Sequence, residues 1–185
     1  MNFEEKAREW LEEIAGRGQE HYEPFWNVEK CGHSFVMMQK MSTTSRSTFL
    51  GVDTKWGKMT TGGEYCYFYL CEKLTLELLR ECSEWISQME QEDVDKGNDQ
   101  HCFTFISLVL ITDGPVTKEM QKFIKRYRHI TYYNEKKEEY GWSSGCLAVM
   151  DLSNGEMYSN AMGDSLQKRL QGENGKKKGL FRFFQ

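Results

Sequence analysis

Phe103-Thr104-Phe105-Ile106-Ser107-Leu108-Val109-Leu110-Ile111-Thr112-Asp113-Gly114-Pro115 is the stretch on which the fold turns. Both of its alternating sets are mostly apolar: Phe103, Phe105, Val109 and Ile111 on one side, Ile106, Leu108 and Leu110 on the other. A strand with one wet face alternates apolar with polar, so this run predicts a central strand covered on both faces. The acidic segment before it and Asp113-Gly114-Pro115 after it hold the run to strand length, well short of the roughly 20 apolar residues of a membrane-crossing helix. Beyond the turn, Val116, Met120, Phe123, Ile124 and Tyr127 recur at helical spacing. Lys118, Lys122, Lys125, Arg126 and Arg128 fall largely outside that stripe, several of them near the C-terminal end where the helix dipole favours cations. A strand, a tight turn and a basic amphipathic helix are expected. The turn is no phosphate cradle, because it lacks a glycine-rich loop and Asp113 repels an anion at the helix start.

On the N-terminal side, Phe3, Ala7, Trp10, Leu11 and Ile14 form a helical stripe capped by Asn2 and stopped at Gly16 and Gly18. Strands are expected over 25–30 and 34–42, joined at Cys31-Gly32-His33, and over 47–52 and 64–71, with Gly57 and Gly62-Gly63 leaving a loop between the last two. Leu78, Cys82, Trp85, Ile86 and Met89 mark a second helix, which gives way to an acidic loop from Glu90 to Asp99. On the C-terminal side the pattern predicts a short strand over 130–133 and a charged loop over 134–140. A strand over 142–152 follows, with Gly145 as a bulge, and Ser153-Asn154-Gly155 turns it into 156–159. A helix over 164–170 closes the set. The expected fold is α+β: a single domain over residues 1–171, with a mixed, mostly antiparallel sheet, helices packed on it and the central strand near 103–112. Residues 172–185, with Lys176-Lys177-Lys178 and Phe181, Phe183 and Phe184, read as a mobile basic and aromatic tail.

A chain of 185 residues with 39% hydrophobic and 14% aromatic content carries enough apolar mass for one packed core. Its net charge of -4 gives no general attraction for nucleic acid or anionic lipid, so such binding needs a local basic patch. Asn2-Phe3-Glu4-Glu5-Lys6 opens an amphipathic helix instead of an apolar leader, so a cytoplasmic location is expected, with the six cysteines as free, mostly buried thiols.

Several pieces resemble an uncharacterised family of small prokaryotic domain proteins found in clostridia-like bacteria and haloarchaea. They are Glu64-Tyr65-Cys66, Thr112-Asp113, Tyr127-Arg128-His129, Gly141-Trp142, and the run from Leu147 to Asp151 through Leu152-Ser153-Asn154-Gly155-Glu156. The likeness spans most of residues 25–160. The chain differs from it at Gly51-Val52-Asp53, where a more basic strand is expected, and in a longer charged insert from Glu135 to Glu139. The resemblance implies one intact domain and carries no established activity.

Candidate chemistry is sparse. Asp53-Thr54-Lys55 with Glu29 matches the acid and Asp-x-Lys pattern by which restriction-endonuclease-like enzymes hold Mg²⁺ and orient water. A solvated strand end explains so short a pattern as well. Asp93-Val94-Asp95-Lys96-Gly97 fails as a calcium loop at its fifth, sixth and closing positions. Cys31-Gly32-His33 and His101-Cys102 lack zinc-ligand spacing, and no Gly-x-Ser-x-Gly or phosphate loop occurs. No metal or cofactor is assigned, Mg²⁺ entering only with the nuclease alternative. The favoured reading is a non-catalytic domain that binds an unknown protein or small ligand near the basic helix 116–128. Its contacts are Lys122, Arg126, Arg128, His129, Tyr132 and Trp142: cations for anionic groups, aromatics for stacking.

Overall fold

Helix α1 (Phe3–Gly18) is followed by the hairpin of β1 (Glu23–Lys30) and β2 (His33–Arg46) in a computed structural model, which describes residues 2–18, 20–46, 48–49, 52–53 and 59–171. The hairpin turn is Cys31-Gly32, with φ of 52° and 76°, the doubly positive pair that a two-residue type I′ turn requires. The short strands β3 (Thr48–Phe49) and β4 (Val52–Asp53) pair only with each other. Then come β5 (Met59–Leu70), α2 (Leu76–Asp93), β6 (His101–Thr112), α3 (Lys118–Arg126), β7 (Ile130–Tyr132), β8 (Trp142–Asp151), β9 (Glu156–Ser159) and α4 (Asp164–Gln171). Among the described residues no helix is long and apolar enough to cross a membrane.

The main sheet has seven strands in the order β1-β2-β5-β6-β8-β7, with β9 also on β8. Pairs β1–β2, β2–β5, β7–β8 and β8–β9 are antiparallel, while β5–β6 and β6–β8 are parallel. The fold is thus the expected α+β single domain on a mixed sheet. The two parallel steps run in the same direction across the sheet, and crossovers of one hand then put their helices on one face. Accordingly α2 and α3 share a core with Phe35, Tyr67, Ile106, Leu108, Leu147 and Val149. On the other face α1 and α4 cover Met37, Cys66, Phe68, Val109, Ile111 and Ala148.

Strand β6 lies at the sheet's centre, and from Ile106 to Thr112 it is buried on both faces. Phe103 and Phe105 remain half-exposed, because α1 and α4 cover only the half of that face toward the strand's C-terminal end. Three local expectations need correction. Gly62 and Gly63 lie inside β5 and not in a loop, since the Phe103 ring rests against the bare Gly62 backbone: a Cβ there would meet it at 2.3 Å. Gly145 is no bulge, as β6 and β8 keep unbroken register through it; it admits Ile86, whose Cγ2 would sit 2.7 Å from an added Cβ. The acidic segment from Glu90 begins as helix, with Glu90, Glu92 and Asp93 forming the last turn of α2. Residues 172–185, the expected tail, lie outside the described residues.

Candidate functional site

Beyond β8 the sheet ends in β7 and β9, and α3 packs on the sheet face beside α2 and β9. The Thr117 hydroxyl accepts from the Met120 N–H at 3.3 Å, capping α3, and Glu119 complements the dipole in the first turn. The predicted stripe turns inward: Val116 and Ile124 are buried, with Met120, Phe123 and Tyr127 packed beside them. Lys118, Lys122, Lys125, Arg126 and Arg128 are exposed. Arg128 donates to the carbonyls of Lys125 at 2.9 Å and Tyr127 at 2.8 Å, neutralising the carbonyl end of the helix.

Strand β7 runs antiparallel to β8, pairing Ile130 with Ser144, Thr131 with Ser143 and Tyr132 with Trp142. His129 O accepts from Gly145 N at 2.9 Å and Tyr133 N donates to Gly141 O at 3.0 Å. Antiparallel ladders alternate, so Thr131 exchanges its bonds with Ser143 while the N–H and C=O groups of Ile130 and Tyr132 point away from β8. The two side chains are 47% and 77% exposed, ahead of Trp26 on the opposite edge strand at 44%. Tyr132 lies 6.5 Å, ring to ring, from Trp142, which joins the half-exposed Phe103 and Phe105.

Behind this edge lies a buried polar network that sequence reading missed. The carboxylate of Glu90 accepts from the hydroxyls of Tyr133 at 2.8 Å and Ser143, and pairs with His129 Nε2. Tyr133 and Ser143 also bond each other at 2.9 Å. Burial of Glu90 favours its neutral form. The donors from His129, Ser143, Thr131 and Tyr133 outweigh it and hold the carboxyl down at about 2. Three residues on, Asp93 accepts from Tyr67 at 2.6 Å and pairs with Lys30 at 2.6 Å. Carboxylates at a helix C-terminus oppose the dipole, and α2 has no basic residue in its last turn. Donors from across the fold offset that cost.

Within the network Ser143 is not set up as a nucleophile. Glu90 stands between Ser143 and His129, so the serine has no imidazole base, and Ser143 has no exposed surface. A separate cavity of about 380 Å³ beneath the start of α4 is lined by Glu64, Phe105, Ser107, Ser144, Cys146 and Asp164. Of its two carboxylates, Glu64 is already engaged by Arg169 and Tyr22, both at 2.9 Å, and Asp164 is exposed, while burial raises the Cys146 thiol away from the reactive thiolate form.

The six residues expected to bind are therefore distributed. Lys122 and Arg126 are exposed on the helix surface, Arg128 caps that helix, and His129 faces inward to Glu90. Tyr132 and Trp142 meet on the sheet face that carries α1 and α4. They differ because successive strand residues alternate between faces, which closeness in sequence conceals. Of the nuclease set, Glu29 accepts from Ser34 within the β1–β2 hairpin. The Asp53 backbone belongs to the separate β3–β4 ladder, and Lys55 lies outside the described residues. Among the described residues no group of three or more His, Cys, Asp or Glu side chains is placed to hold a metal ion.

Comparison with curated proteins and with solved structures returned no match. Residues 6–172 match the family described as Domain of unknown function (DUF8052), and since the match takes in most of the chain, the protein belongs to that family.

Proposed function

We propose that this is a non-catalytic binding domain that engages a partner along the strip running from the exposed face of α3 to β7. The observation that carries the reading is charge segregation on α3 followed in the chain by exposed apolar residues on β7, the two lying on opposite faces of the sheet. Residues 118–128 hold five cations against the single carboxylate of Glu119, in a chain whose net charge is -4. Ile130 and Tyr132 stand exposed immediately after them. Such a strip attracts an anionic partner and gives it apolar area to bury.

The buried serine and the already engaged carboxylates speak for binding over turnover, and nothing in the described residues favours the metal-dependent nuclease alternative. The test is affinity capture with the wild type and with Lys122→Glu combined with Arg126→Glu, both side chains being exposed and outside the core. The expected result is loss of the captured partner at unchanged thermal stability. An identical set of captured molecules from both proteins would refute the placement.

A further inference from the structure

We infer that β7 accepts an extended acidic segment of a partner protein as an additional strand on its outer edge. This rests on the binding strip proposed above and specifies both the chemistry of the partner and the way it docks.

The first observation is the ladder register. Since His129 and Tyr133 bond toward β8, the backbone groups of Ile130 and Tyr132 face outward, and β7 ends the strand order on its side. An outward row of donors and acceptors is the template that strand addition uses. Second, among the described residues brevity is this edge's one guard against pairing. β7 reads Ile-Thr-Tyr, with no proline and no charge. Third, Ile130 and Tyr132 share a face with Trp142, so apolar residues at alternate positions of an added strand would lie against exposed apolar surface.

Charge then chooses the occupant. The chain enters β7 from Lys122, Lys125, Arg126 and Arg128, all exposed. A second copy pairing edge to edge would set these cations against the 134–140 loop, where Lys136 and Lys137 offset Glu135 and Glu138, and Glu139 is already paired with Lys96 at 2.7 Å. That offers little complementarity, and three residues of strand are a short seam for a stable dimer. An acidic segment complements the cations directly.

The probe is a fluorescein-labelled eight-residue peptide alternating glutamate with valine, titrated by anisotropy at low salt. Saturable binding is expected. It should weaken about tenfold or more with Ile130→Pro, with Lys122→Glu plus Arg126→Glu, and with the same peptide N-methylated at alternate amides. Proline at position 130 removes an N–H that faces solvent, so the fold should survive, and the N-methylated peptide leaves the protein untouched.

Loss with the charge reversal, but equal binding of the N-methylated peptide and of Ile130→Pro, would overturn strand addition while leaving the binding strip standing. Binding insensitive to every change would overturn both. Failure of the acidic peptide to bind would overturn the inference. So would a single-stranded oligonucleotide that binds Ile130→Pro as tightly as wild type and outcompetes the peptide, or self-association abolished by Ile130→Pro.

Discussion

The two edges of the sheet are defended very differently. On β1, Pro24 lacks a donor, and Asn27 at φ 54° interrupts the ladder between the Trp26–Met37 and Val28–Phe35 pairs. Glu23, Glu29 and Lys30 add charge, with Lys30 drawn inward to Asp93 and Glu92. These are familiar ways of blunting a strand edge against unwanted pairing. On β7, brevity is the only such feature: three residues, none charged and none proline. Yet the last turn of α2 holds both edges, Asp93 through Lys30 on β1 and Glu90 through the residues flanking β7. The structure fixes β7 firmly from behind, and among the described residues no strand pairs with its outer side.

The largest effect should come from removing that support. Glu90→Gln is expected to lower stability by about 3 kcal/mol, because Tyr133, Ser143 and His129 lose a charged acceptor inside the fold. Denaturant unfolding measures it. The same carboxyl sets an acid limit. Held down to about 2 from an ordinary 4.5, it contributes stability that is fully present above 4.5 and drains away as pH falls toward 2. The acid unfolding of Glu90→Gln should accordingly be shallower across that window. A wild-type stability flat from pH 5 to about 2 would contradict the network.

Next in size, Thr131→Pro should cost about 2 kcal/mol, since the Thr131 N–H belongs to the ladder with Ser143, while Ile130→Pro should cost well under about 1 kcal/mol. Equal costs would contradict this register of β7 on β8. Gly145→Ala should cost about 1–2 kcal/mol, as its Cβ would press on Ile86 and on His129 at 3.0 Å, loosening β7 from behind. Smaller than the Gly145 effect is the support of the defended edge. Asp93→Asn should cost about 1 kcal/mol or less, because Lys30 keeps Glu92 at 3.1 Å and Tyr67 keeps a hydrogen-bonding oxygen. Thermal melts of the set rank the two edges directly.

Much of this architecture was legible in the residues. The double apolar alternation of 103–112 identified the central strand, the stripe from Val116 to Tyr127 gave the buried face of α3, and Ser153-Asn154-Gly155 led into β9 where expected. The Glu90 network was not, because its partners His129, Tyr133 and Ser143 lie 39, 43 and 53 residues away and only the sheet brings them together. One signal was present. Cys82, Ile86 and Glu90 follow i, i+4 and i+8, so a carboxylate stands on the buried stripe of α2. Nor could sequence show that His129 turns inward while Tyr132 turns to the other face, since that follows from the pairing of β7 with β8.

Residue-resolved amide hydrogen exchange of β7, free and saturated with the alternating glutamate–valine peptide, tests the central claim most directly. In the free protein, Thr131 and Tyr133 should exchange slowly and Ile130 and Tyr132 fast. With the peptide bound, Ile130 and Tyr132 should become protected by about tenfold or more. Rates at Ile130 and Tyr132 that stay unchanged at saturation would contradict the account.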